Sequence, residues 1–138
     1  MNMVLPNEGK TLWLARVVDT SSAEDLVVEL FRNNYTPTET DTLSNYLTPS
    51  FAGYAPVTLT SADWITPYLI PNLGYLQSIN PPRYDCTGGV PEIVYGWFMY
   101  GATTTKVYAA QRFDTPRTMA VGLSEVLTPF RFALKTLV

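Results

Sequence analysis

The sequence predicts an all-β protein, an antiparallel β-sandwich with one short N-terminal helix. Three observations predict it. Apolar residues recur in short segments of strand character, separated by clusters of Gly, Pro, Asn and Ser. The chain holds 9 Tyr and 11 Pro with only 15% charged residues, whereas helical surfaces favour Lys, Glu and Ala. The connections are also short, as antiparallel neighbours allow. A length of 138 residues suits a single domain with a real core, residues 1–138, and is too short for two comfortable ones.

The elements follow in order. Residues 1–22 read as an N-terminal arm. Within it Leu12, Leu14 and Val18, with Trp13 and Val17, fit a short helix or an entry strand; the favoured reading is a helix of about two to three turns, opened near Asn7 and Glu8 and stopped by Asp19-Thr20-Ser21-Ser22. Leu26–Phe31 alternates as a strand. It runs into a loop over 32–50 that is rich in Asn, Thr, Pro and Tyr, with one helical turn at Asp41–Tyr46 that Asp41 is placed to cap. A loop that long in a compact domain packs on something or contacts something. Ala55–Thr60 is a second strand with its Pro at the leading end. Trp64–Ile70 reads as irregular or edge, Gly74–Ile79 as a short strand, and the segment around Tyr84 and Cys86 as a loop or broken strand.

Ile93–Tyr100 is the strongest strand, and its almost unbroken apolar character predicts burial on both sides, with Trp97 in the core. Lys106–Phe113 returns antiparallel after the turn at Gly101. Val126–Leu137 closes the fold as a half-buried strand. The total is about seven or eight strands, for which a sandwich is the natural architecture and a jelly-roll one form of it.

Composition narrows the chemistry. The absence of His removes the usual general base, the usual zinc ligand and every Ser-His or Cys-His nucleophile, so no enzyme, metal or cofactor is expected. The carboxylates are dispersed at strand ends, where they read as solvated punctuation. Glu39 and Asp41 match no calcium loop. Gly88-Gly89 lacks the Lys-Ser/Thr helix of a phosphate cradle. The single Cys86 permits no internal disulfide and reads as a small, partly buried side chain made in a reducing compartment. A net charge of −3 with scattered basic residues argues against direct nucleic-acid binding. No apolar run reaches the roughly 20 residues that cross a bilayer, and the start lacks the features of a secretory signal, so neither membrane insertion nor export by that route is expected.

What remains is contact. Low charge leaves a neutral surface suited to a docked protein. Leu5, Pro6 and Trp13 of the arm, with Asn33, Asn34, Tyr35 and Tyr54 of the loop and its far end, are the residues expected to bind a partner. Packing within the domain and stacking of sugars on the rings are the competing uses of the Trp and Tyr side chains.

Several segments carry a resemblance: Leu5-Pro6-Asn7-Glu8-Gly9-Lys10, Leu30 to Pro37, Phe51-Ala52-Gly53-Tyr54-Ala55, Val94-Tyr95-Gly96-Trp97-Phe98, Ala110-Gln111-Arg112-Phe113 and Leu127 to Phe132. Together they span nearly the whole chain, which resembles small virion proteins of tailed bacteriophages. The region from Trp64 to Val90 is long and Pro-rich here and departs from that pattern. The resemblance implies a capsid cement or decoration protein on the outer surface of the head. Its implied partners are the major capsid protein and further copies of itself, with a trimer favoured. The alternative is a tail, fibre or head-surface module that recognises host glycan or protein.

Overall fold

A computed structural model describes residues 3–10, 12, 24–64, 68–70, 73–128 and 130–135. These residues form nine strands: β1 (Leu26–Phe31), β2 (Val57–Leu59), β3 (Tyr68–Ile70), β4 (Leu73–Gln77), β5 (Arg83–Asp85), β6 (Glu92–Gly101), β7 (Val107–Met119), β8 (Ser124–Val126) and β9 (Arg131–Lys135). Every ladder between them is antiparallel. They make a four-stranded sheet ordered β2-β1-β6-β7, a three-stranded sheet ordered β3-β4-β9 and a β5-β8 pair. The fold is the expected all-β, sandwich-like one, with one short helix at residues 7–10 and 12.

The four-stranded sheet is covered on both faces, which is why β1 and β6 are apolar at successive positions. On one face Leu26, Val28 and Leu30 join Val94, Trp97 and Met99 in the larger core. Leu59 of β2 joins them from the same sheet, and Phe51, Tyr84, Cys86, Leu127 and Phe130 close the core over them. The Tyr84 hydroxyl crosses this core to donate to the Val28 carbonyl at 2.6 Å, and Phe130 packs on Trp97 with centroids 4.6 Å apart. A buried phenol needs such an acceptor, because an unmade hydrogen bond there costs about 1–3 kcal/mol.

On the other face the loop over 32–50 folds back on the sheet. Tyr46 stacks on Phe98 at 4.6 Å and 9°, and meets Phe31 at 5.3 Å. Phe31 lies across Gly96, where a Cβ would sit 2.5 Å from its Cζ and 2.2 Å from the Gln111 carbonyl oxygen. Only glycine allows that approach.

Several boundaries differ from the sequence expectation. The helix opens at residue 7 as expected, while residues 13–23, with Trp13, lie outside the described residues. The turn in the long loop is a 3₁₀ turn over Leu43–Asn45 capped at Thr42, whose amide donates to Asn45 Oδ1 at 2.9 Å. Asp41 is not the cap: its carboxylate is 2% exposed and turned inward. The second strand shortens to Val57–Leu59, and the segment around Tyr84 is a strand, held by pairing with Ser124–Val126. β7 runs on to Met119, past its polar Asp114–Arg117 stretch, since Arg117, Thr118 and Met119 re-pair with β6. The expected closing strand, Val126–Leu137, starts later, as β9, and β8 ends where it was expected to begin.

Candidate functional site

The residues expected to bind a partner fall in two places. The arm lies along β7: the Val4 amide donates to the Ala110 carbonyl at 2.7 Å and the Ala110 amide returns the bond at 2.9 Å. Leu5 is half-buried against the larger core and Pro6 is fully buried. The helical turn then presses on the start of β7. A Cβ on Gly9 would meet the Val107 carbonyl oxygen at 2.3 Å, and Glu8 accepts the Val107 amide at 2.9 Å. The arm also meets the long loop, through the Asn7 amide on the Glu39 carbonyl (2.8 Å) and Lys10 beside the Glu39 carboxylate (3.4 Å).

Asn33, Asn34 and Tyr35 hold that loop to the sheet. Asn33 donates to the Asn45 carbonyl (2.9 Å) and accepts the Leu47 amide (3.0 Å), which closes the loop on itself. The Arg112 guanidinium lies 5.3 Å over the Tyr95 ring and donates to Asn34 Oδ1 at 2.7 Å and to the Tyr35 carbonyl at 2.8 Å. The Tyr35 and Tyr46 hydroxyls both donate to Asp41 at 2.5 Å, joined by Thr38 Oγ1 at 2.7 Å and the Thr38 amide at 3.0 Å. Burial alone would raise the Asp41 carboxyl, but these donors together more than reverse it, so its pKa is lowered. For Tyr46 burial comes first and the Asp41 carboxylate adds to it, pushing the phenol far up.

Tyr54 belongs to a different neighbourhood. Its ring stacks on Tyr84 (5.7 Å) and edges Phe51 (5.3 Å), and its hydroxyl donates to Glu29 and accepts the Leu30 amide, both at 3.2 Å. Tyr100 donates to the other Glu29 oxygen at 2.9 Å, and burial followed by that carboxylate pushes its phenol up to about 12. The fold thus brings the arm and the loop together along β7 and places Tyr54 elsewhere. Of the described residues among these, Asn34 alone is exposed.

Two surface features escaped the sequence reading. The first is an aliphatic end. Val90, Ile93, Val121 and Leu123 are exposed at 85%, 46%, 67% and 50%. Topology puts them at one end of the molecule. Ile93 pairs with Thr118, and the 120–123 turn is tied to Cys86 by bonds from the Gly122 amide (3.0 Å) and to the Leu123 carbonyl (2.9 Å). Its sequence signal was three aliphatics beside turn glycines, at Gly89-Val90 and Val121-Gly122-Leu123, where turn chemistry favours polar residues.

The second is a cleft of about 370 Å³ between β7 and β8, with Trp97 and Leu127 in its lining. It opens where β7 leaves the ladder. Gly96 pairs with Arg112 and Val94 with Arg117, so Tyr95 alone stands opposite the four residues Phe113 to Pro116. Arg117 approaches Glu125 across the cleft at 3.7 Å and lies 5.7 Å over the Phe113 ring. Burial pushes the Glu125 carboxyl up against the opposing pull of Arg117.

Among the described residues no group of three or more His, Cys, Asp or Glu side chains could hold a metal ion, and no helix is long and apolar enough to cross a membrane. No protein-family model matches the chain, and no curated protein matches it.

Proposed function

We propose that this chain is a bacteriophage capsid cement or decoration protein that binds the outer surface of the head and stabilises the shell through protein–protein contacts. The observation that carries the reading is the aliphatic end: Val90, Val121 and Leu123 on turns and Ile93 at the start of β6 are all held out to solvent. Exposed apolar groups gathered in one place mark contact surfaces, and protein partners desolvate them at about 25 cal/mol per Å² of apolar area. Low charge supports the same reading, because docking such a surface strips few ions of water. A clamp across neighbouring major capsid proteins, made by a trimer of this chain, resists the outward pressure of packaged DNA.

The deciding measurement is copy number per purified virion by quantitative mass spectrometry against the major capsid protein. Near-stoichiometric abundance is expected. A handful of copies per particle would overturn the cement reading.

The cleft favours a second reading, a tail, fibre or head-surface module that recognises host glycan. Built recesses of this size are where small ligands bind.

A further inference from the structure

We propose that the cleft beside the β7 bulge is a binding site for a neutral saccharide unit. The inference deepens the second reading and is independent of the cement role.

The cleft is a consequence of chain geometry. Four residues of β7 stand opposite one of β6, so the strand bows away from its neighbour and opens a recess with β8 on its far side. Such bulges re-aim side chains and recur beside functional sites. Pro116 sits inside this bulge, where a residue without an N–H forfeits no ladder bond. At about 370 Å³ the recess falls within the range of small-ligand pockets and suits one or two sugar rings.

Charge selects the ligand class. Four charged residues line the cleft, Arg112 and Arg117 against Asp114 and Glu125, so their formal charges cancel. Arg112 is committed to Asn34 and Tyr35, and Arg117 to Glu125 and the Phe113 ring. Asp114 is likewise engaged, so among the described residues no lining charge awaits a counter-ion, and a free anion or cation gains little by entering. A neutral ligand with paired donors and acceptors does. The Arg117–Glu125 pair offers a donor face and an acceptor face 3.7 Å apart, which suits the two hydroxyls of a vicinal diol. Thr115 and Thr128 add hydroxyls to the wall. The Phe113 ring and Val126, the latter 48% exposed, provide an apolar surface for the C–H face of a pyranose ring.

The test is saturation-transfer difference NMR on the full chain. The probes are glucose, galactose, mannose, N-acetylglucosamine and their common disaccharides, with sialic acid and glucose 6-phosphate as acidic probes. The proposal expects transfer to the ring protons of at least one neutral sugar. It also expects affinity to fall about tenfold or more in Phe113→Ala and in Arg117→Gln, and to be retained in Arg83→Ala outside the cleft. Arg117 is half-exposed, so its variant keeps the fold if Phe113→Ala does not. Silence from every neutral sugar at millimolar concentration, preference for the acidic probes, or unchanged binding in Arg117→Gln would each overturn it. None of these outcomes alters the copy number, so failure here is separable from failure of the cement reading.

Discussion

At the scale of single residues, Asp41 shows how a polar side chain comes to be buried in a loop. A desolvated carboxylate is costly, and four hydrogen bonds from Tyr35, Tyr46 and Thr38 offset that cost. Truncation to Ala leaves two phenols and a threonine without their acceptor. Asp41→Ala should therefore lose about 3 kcal/mol of unfolding free energy in urea titration at neutral pH. The pH dependence has a definite sign. A carboxyl whose pKa is lowered in the fold contributes stability above its unfolded value, about 3.8, and loses that contribution as pH falls through the folded value. Wild type should lose stability on the acid side of that value, and Asp41→Asn should show a shallower loss over the same range. An identical acid limb in the two proteins would mean that Asp41 is not the group responsible.

At the scale of elements, the four-stranded sheet owes its second covered face to the loop over 32–50, and the loop owes its position to the sheet. Gly96 is the contact on which both depend. In Gly96→Ala a methyl group would collide with backbone at Gln111 and with the buried Phe31 ring, neither of which can retreat. The expected loss is about 3 kcal/mol or more, read as a lower denaturation midpoint. Arg112 ties the loop to the sheet. Its charge-assisted bonds to Asn34 and Tyr35 are worth about 1.5–3 kcal/mol where well buried and less here, where they are partly exposed. Arg112→Ala should thus raise amide hydrogen exchange over residues 33–36 and leave β1 and β6 protected. Uniform deprotection of the sheet would show instead that Arg112 supports the whole fold.

At the scale of the molecule, surfaces spent inside the chain separate from surfaces left free. Asn33, Tyr35 and Pro6 are engaged in the fold, so their substitution tests folding before it tests docking. The aliphatic end can be altered without that confusion. Val121→Asp with Leu123→Asp should change unfolding free energy by no more than about 0.5 kcal/mol per site, as for other exposed positions. Under the cement reading the same pair abolishes attachment to heads that lack the protein, measured by co-sedimentation. Full attachment by a folded double variant would remove this end as the docking surface.

The class of the fold and most of its strands were readable from the sequence, because short apolar runs or alternations bounded by turn residues are local signals. Leu26–Phe31 and the strand around Trp97 were legible for that reason. β7 beyond Phe113 was not, since Asp114 to Arg117 lacks the apolar pattern and is strand only by pairing at its two ends. The nature of the long loop was half legible. Its length and Tyr content announced a surface that must pack, and only the tertiary structure decided that the surface it covers is the chain's own sheet. The cleft and the aliphatic end were decided at the same level. Each gathers residues from segments far apart in sequence: the aliphatics beside turn glycines at Val90, Val121 and Leu123 were a local hint, but their meeting at one end is set by strand pairing, which no local pattern displays.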